Sequence, residues 1–212
     1  MKNLLDKTYD LFASRLNKWF ILAGIASLGL NALFTFIGGV SSLGSEAFYY
    51  IVLLAFQALI IVGLIVGHYR NKEPLLFFAF IAFLVLLAQG SVVGATFGAS
   101  ALGQADTTYV LRWVFSLIYA IALGCFLVCI LLVYLFKVKM VVIILKASFF
   151  LSLIFGVVAW IFGIVYAANG YGWTNAIIPL LEVGSLLMIP GLLEELLPGE
   201  LDGEREEKES EE

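Results

Sequence analysis

Five polar side chains interrupt long apolar segments of this 212-residue chain, and they are the residues from which chemistry could arise. They are Asn31, Gln57, Gln89, Arg112 and Glu182. Amides, a guanidinium and a carboxylate can bind a small polar molecule or an ion, but the set contains no nucleophile paired with a base. We therefore interpret the five as candidate ligand-binding residues and expect no catalytic site, so the chain is not predicted to be an enzyme.

Glu182 is the most informative of these residues. Pro179 and Gly184 flank it, and a Pro-Gly pair follows at 190–191 in the same apolar segment. Proline removes a backbone donor and opens a helix, and a broken helix beside a carboxylate is one way in which transporters build ion or substrate sites. The alternative is a structural kink whose carboxylate pairs with Arg112 at a similar depth. The sequence leaves both interpretations open.

The three amides have a simpler interpretation. Asn31 and Gln57 are expected near the middle of their segments and Gln89 nearer one end. Hydrogen bonds between helices, which contribute roughly 0.6–2 kcal/mol each in membranes, would account for them. We favour that interpretation, with a polar pocket open to the outside as the alternative.

Composition identifies the solvent around these residues. Hydrophobic residues make up 62% of the chain and charged residues only 13%, about half the charged fraction of a soluble domain. Six apolar segments are long enough to cross a bilayer, and each must be helical because backbone groups in hydrocarbon pair within the segment. The segments are 19–40, 47–68, 74–98, 108–136, 147–168 and 175–197. The sequence therefore predicts an all-α, polytopic bundle of six transmembrane helices over 19–197, in the lipid bilayer of a cell membrane.

Lysine and arginine predict the orientation. Eleven of the twelve basic residues lie in the leader, in the connections after the second and fourth segments, or in the tail, and only Arg112 does not. Basic residues concentrate on the cytoplasmic side. Both termini are therefore expected in the cytoplasm.

The two terminal regions are predicted to differ in structure. Residues 1–18 carry Leu5, Tyr9, Phe12 and Leu16 on one stripe, which is typical of an amphipathic helix in the membrane interface. Ten of the sixteen acidic residues lie within 194–212, so we expect 198–212 to form a disordered cytoplasmic tail. The stretch 137–146 is ambiguous. It could extend the fifth segment and so place Lys146 inside the membrane, but we favour a short interfacial segment, or a Lys146 side chain that reaches back to the headgroups.

A weak internal repeat suggests tandem helical hairpins. Five residues around the first outer turn recur 59 positions later. The pairs are Gly39 with Gly98, Ser41 with Ser100, Leu43 with Leu102, Gly44 with Gly103, and Tyr50 with Tyr109. Chance similarity at apolar helix ends is the alternative.

Glycines at four-residue spacing predict close helix packing. Gly90, Gly94 and Gly98 lie on the third segment, and Gly63 and Gly67 on the second. Such stripes let a neighbouring helix approach closely. We favour packing within the chain, with a homo-oligomer or a partner membrane protein as the alternative.

Cofactor chemistry is not expected. Cys125 and Cys129 lie four apart in an apolar run, and the chain has one histidine, which leaves no Cys/His metal set. We expect no cofactor, no metal and no nucleic-acid partner. The leading hypothesis is a binding or transport module for a small molecule, ion or lipid. The alternative is a non-transporting membrane subunit or scaffold that packs against a partner membrane protein.

Overall fold

The structure, a computed structural model, describes residues 7–9, 17–41, 47–99, 107–138 and 140–197. Within these ranges the regular structure is helical and contains no strand, and six helical segments are long and apolar enough to cross a membrane. The predicted all-α fold class with six spans is therefore confirmed for the described part of the chain. The tail at 198–212 and most of the repeated turns lie outside the described residues.

Seven helices form the described bundle. They are α1 (Asn17–Ser41), α2 (Ala47–Tyr69), α3 (Glu73–Ala99), α4 (Thr107–Phe136), α5 (Val141–Tyr166), α6 (Thr174–Leu186) and α7 (Ile189–Leu196), with a π-helical turn at Ala167–Tyr171 after α5. Asn71, with a φ of 49°, makes the tight turn from α2 into α3, and Pro74 fits the first turn of α3. Gly170 and Gly172, with φ of 95° and 89°, turn the chain from α5 into α6, in a conformation that a side chain would strain.

The helices form a ring in chain order. Each of α1 to α5 packs on the helix that follows it, and α6 also packs on α1, which closes the ring. Neighbouring helices run in opposite directions. One end of the bundle therefore carries Asn71 and the other carries Gly170, and we call these the Asn71 end and the Gly170 end. The short helix α7 contacts both α1 and α3, so it crosses the interior near the Asn71 end.

The sixth predicted span is broken. The sequence predicts one helix over 175–197, whereas α6 ends at Leu186 and α7 begins at Ile189. Pro179 lies inside α6 without ending it, early in the helix where little of the hydrogen-bond ladder precedes it. Pro190, in the first turn of α7, has no N–H to continue the ladder of α6, so the helix restarts there. The kink expected near Glu182 thus lies one to two turns later, at Leu187 and Met188.

The restart places an apolar plug inside the ring. Leu192, Leu193 and Leu196 of α7 are buried. Glu195, also on α7, connects this helix to α2, because its carboxylate lies 2.8 Å from Nδ1 of His68. The interior at the Asn71 end is therefore filled by side chains of α7.

The stretch 137–146 does not end in an interfacial segment. Helix α5 begins at Val141, because the apolar run 141–145 continues directly into the fifth span. Lys146 therefore lies within the helix, and its side chain is only 5% exposed. Its Nζ lies over the ring of Tyr9, 5.2 Å from the centroid. A cation–π contact thus takes the place of the predicted reach to the headgroups.

Tyr9 is the one buried residue described in the leader. It is 1% exposed and meets the ring of Phe149 edge-on, with centroids 6.1 Å apart. At this residue the leader packs against α5, and the position of 1–18 in the membrane interface stays a prediction. Leu5, Phe12 and Leu16 lie outside the described residues.

Candidate ligand-binding site

Three helices meet around Gly156 of α5. A Cβ at this position would lie 2.9 Å from Val183 Cγ2 of α6 and 3.3 Å from Tyr119 Cε2 of α4. The missing side chain therefore allows the ring of Tyr119 to lie at the level where α6 carries Val183 and its neighbour Glu182. Glycine here performs the packing role expected of small residues in membrane bundles.

Tyr119 places a hydroxyl inside this junction. The residue is 4% exposed, and its buried hydroxyl has no hydrogen-bond partner among the residues that the structure describes. It interacts electrostatically with Glu182. A buried polar group left unsatisfied costs about 1–3 kcal/mol. The hydroxyl is therefore a group that a bound molecule or water could satisfy.

Sequence analysis missed Tyr119, although a signal was present. Tyr109, Tyr166 and Trp173 lie near helix ends, where aromatic residues mark the membrane interface. Tyr119 lies twelve residues into the thirty-residue helix α4, far from either interface. A tyrosine at that depth needs a partner for its hydroxyl, as the five polar residues do.

Glu182 and Arg112 belong to one electrostatic group but lie at different depths. Glu182 is half-buried and Arg112 interacts electrostatically with it. Arg112 precedes Tyr119 by seven residues on α4, which places it about 10 Å nearer the Gly170 end. Its guanidinium lies over the ring of Tyr166, 5.3 Å from the centroid. The predicted pairing of the two side chains stays a prediction, which their electrostatic interaction supports, and the guanidinium also contacts an aromatic ring.

Tyrosines surround the arginine. Tyr109 lies beside Tyr166, with ring centroids 5.7 Å apart, and both contribute to the electrostatic surroundings of Arg112. An aromatic face attracts a guanidinium by about 0.5–2 kcal/mol. This contact holds the charge near the Gly170 end.

Helix α1 brings Asn31 to nearly the same level. A Cβ at Gly184 of α6 would lie 2.6 Å from Ser27 Oγ of α1, so these two helices are in close contact. Asn31 lies one turn beyond Ser27, and α1 and α6 run in opposite directions, which places it close to the level of Glu182. Asn31 is 7% exposed, and its Oδ1 accepts a hydrogen bond from Thr35 at 3.2 Å.

Gln57 and Gln89 have the same side chain, but one is buried in the bundle and the other is exposed on its outer surface. Gln57 is 6% exposed and lies on the buried face of α2. A Cβ at Gly29 would lie 4.0 Å from Ile61 Cδ1, and this proximity places Gln57, one turn before Ile61, near the level of Asn31. Gln89 is exposed on the stripe of α3 that also carries Phe78 and Val85, so the structure does not bring it to the other four residues.

The predicted packing glycines differ in how closely another helix approaches them. A Cβ at Gly63 would lie 2.8 Å from Ala79 Cβ, and one at Gly67 would lie 2.8 Å from the backbone of Leu76, so α2 and α3 approach closely at both. Gly90 is exposed, and a Cβ there would meet nothing within 4 Å. Packing of Gly90 against this chain is therefore not seen. Gly94 and Gly98 lie within α3, but their surroundings are outside the described part of the structure.

These features define a class of protein. The chain is a helical multi-pass membrane protein in which four helices, α1, α2, α4 and α6, place polar groups on buried or half-buried faces, on the Gly170 side of the apolar plug. Comparison with protein-family models, with curated proteins and with solved structures finds no match. The function must therefore be argued from the site.

Proposed function

We propose that this protein is a membrane-embedded binding or transport module for a small polar molecule or ion. The observation that carries the proposal is the buried hydroxyl of Tyr119, which has no hydrogen-bond partner among the described residues and interacts electrostatically with Glu182. A protein selected only for stable packing gains nothing from such a pair, because each group costs free energy at this depth. A ligand that hydrogen-bonds both groups would offset that cost.

A ligand screen on the purified protein tests the proposal. A compound that binds only the folded state stabilises it by about 2.7 kcal/mol at 100 times its dissociation constant, which a thermal-shift assay detects. We expect at least one ion or metabolite to raise the melting temperature, and Glu182→Gln and Tyr119→Phe to remove the shift. Gln89→Leu, an exposed amide outside the group, is the control and should keep it. If no compound gives a shift that depends on Glu182 and Tyr119, the proposal fails.

A second candidate is the non-transporting subunit or scaffold. The exposed Gln89 next to Gly90 on α3 favours it, since an amide and a small residue on an outer face suit contact with another helix. The partner would be a second copy or another membrane protein. In that case the thermal-shift screen finds no ligand, and Gln89→Leu weakens association.

We propose further that the bundle lies in the cell membrane with both termini in the cytoplasm and the Gly170 end outside. Support comes from the sequence, in which eleven of the twelve lysines and arginines belong to the leader, the tail and the connections predicted on the side of Asn71. The arrangement of 19–136 as two tandem hairpins remains a proposal of the same kind, supported by the repeated turn residues alone.

Thiol labelling on intact cells tests the orientation. In a background with Cys125 and Cys129 replaced by alanine, a cysteine at Asn169 should react with a membrane-impermeant maleimide. A cysteine at Glu207 should react only after the cells are permeabilised. The opposite pattern would reverse the orientation.

A further inference from the structure

One amide of the chain lies on the outer surface of the bundle. Gln89 is exposed on α3, in line with four exposed apolar residues of the same helix, Leu75, Phe78, Val85 and Val92. Their spacings of three, seven, four and three residues are those of a single seam along a helix, and we call this set the α3 seam. Helix α3 packs on α2 and α4 in the ring, and the seam is left uncovered.

The position of Gln89 along α3 places its amide in hydrocarbon. Gln89 follows Glu73, where α3 begins, by sixteen residues, or about 24 Å of helix, and the hydrocarbon core is about 30 Å thick. Side chains on a helix lean towards its N-terminus, which for α3 is the Asn71 end. The amide is therefore directed back towards the middle of the membrane and away from the headgroups at the Gly170 end.

This amide has no hydrogen-bond partner among the residues that the structure describes. Ser91, two residues further on, donates from Oγ to the carbonyl oxygen of Leu87 at 3.0 Å, so its hydroxyl is satisfied within the helix. The amide of Gln89 has two donor hydrogens and an acceptor oxygen, and leaving them unpaired in lipid is costly. Another protein helix at the α3 seam would supply the partner that lipid cannot.

The chemistry of the amide favours a second copy of this chain as that partner. Because eleven of the twelve lysines and arginines are assigned to one side, every copy is expected to insert in the same orientation. Two copies that meet through α3 are then related by a two-fold axis along the membrane normal, and each seam residue meets its own counterpart at the same depth. An amide both donates and accepts, so it can pair with an identical amide, which a charged side chain cannot do.

We propose that the α3 seam is the interface of a symmetric homodimer in which the Gln89 amides of two protomers hydrogen-bond each other. The inference goes beyond the proposed function and does not depend on it. The other four candidate ligand-binding residues lie on α1, α2, α4 and α6. Each protomer therefore keeps its own candidate site, whether or not two protomers associate.

Cysteine cross-linking in membranes tests the geometry of the dimer. In a background with Cys125 and Cys129 replaced by alanine, Val85→Cys lies on the seam one turn from Gln89 and should give a disulfide-linked dimer on mild oxidation. Leu59→Cys is the control, because Leu59 is equally open to lipid but lies on α2, outside the seam. It should stay monomeric under the same conditions.

Light scattering of the purified chain in a mild detergent tests the role of the amide. The parent should have the mass of two chains, and Gln89→Leu should raise the dissociation constant of the dimer at least tenfold. Gln89→Asn keeps an amide that can pair with itself and should lose less. Val128→Leu, on the exposed face of α4, should change nothing. Circular dichroism should show the same helix content for all variants, because these side chains are exposed.

Two results would overturn the inference. If Val85→Cys gives no cross-linked dimer and the parent has the mass of one chain, the α3 seam does not bind a second copy. If the parent is a dimer and Gln89→Leu leaves its dissociation constant unchanged, another surface holds the two protomers together. Neither result bears on ligand binding at Glu182 and Tyr119, which the thermal-shift screen decides separately.

Discussion

Replacing Gly67 with alanine is expected to lower the free energy of unfolding by about 1–3 kcal/mol, the usual cost of forcing atoms into a packed interior. The new Cβ would lie 2.8 Å from the N, Cα and Cβ atoms of Leu76. Two of these are backbone atoms that cannot rotate away, so α2 and α3 must separate. Replacement with leucine should prevent folding. Denaturant or thermal unfolding in detergent measures both.

Gly90→Ala is the matched control, because the same substitution on α3 meets nothing within 4 Å. Alanine is a better helix former than glycine by up to about 1 kcal/mol, so this variant should be as stable as the parent or slightly more. Equal stability of the two alanine variants would show that α2 and α3 do not approach at Gly67. A loss of stability at Gly90 alone would instead reveal a contact with a second chain on the exposed face of α3.

Replacing Tyr9 with alanine is expected to destabilise the bundle by about 3–5 kcal/mol, the usual loss for a buried aromatic side chain. The ring is 1% exposed, contacts Phe149 and lies under the ammonium of Lys146. Without the ring, Lys146 loses its cation–π contact at a buried position, which adds to the cavity cost. Thermal unfolding in detergent measures the change.

Lys7→Ala tests whether the effect belongs to the ring rather than to the segment, because Lys7 is exposed two residues away. It should leave stability unchanged within about 0.5 kcal/mol, as is usual for surface substitutions. If Tyr9→Ala is as stable as Lys7→Ala, the leader does not pack against α5 at Tyr9.

The sequence alone determined the number and type of the spans. Hydrocarbon offers no partner for backbone N–H and C=O groups, so an apolar run of sufficient length has to be helical. Residue types that interrupt a helix could also be recognised in the sequence, since a helix restarts at Pro190 and the chain turns at Gly170. Even so, the sequence did not tell which of the two prolines in the sixth span would break it. That depended on how much of the helix ladder preceded each one.

The helix that carries a polar residue could be predicted, but the face on which it lies could not. Asn31, Gln57, Gln89 and Glu182 lie in the helical segments predicted for them. Only the tertiary structure showed that Gln57 lies on a buried face and Gln89 on an exposed one. Tyr119 and Lys146 lie within apolar runs, so the sequence does not indicate on which face of the helix each one lies.

The physical reason lies in the solvent. In a water-soluble helix the polar face marks the outside, and hydropathy alone orients the element. In a bilayer the outside is as apolar as the core, so leucine on either face costs the same and the sequence carries little record of sidedness. Close packing decides instead. Because Gly67, Gly156 and Gly184 have no side chain, neighbouring helices come into close contact at these positions. Such contacts fix the rotation of each helix about its own axis, and they bring Tyr119 close enough to Glu182 for the two to interact electrostatically.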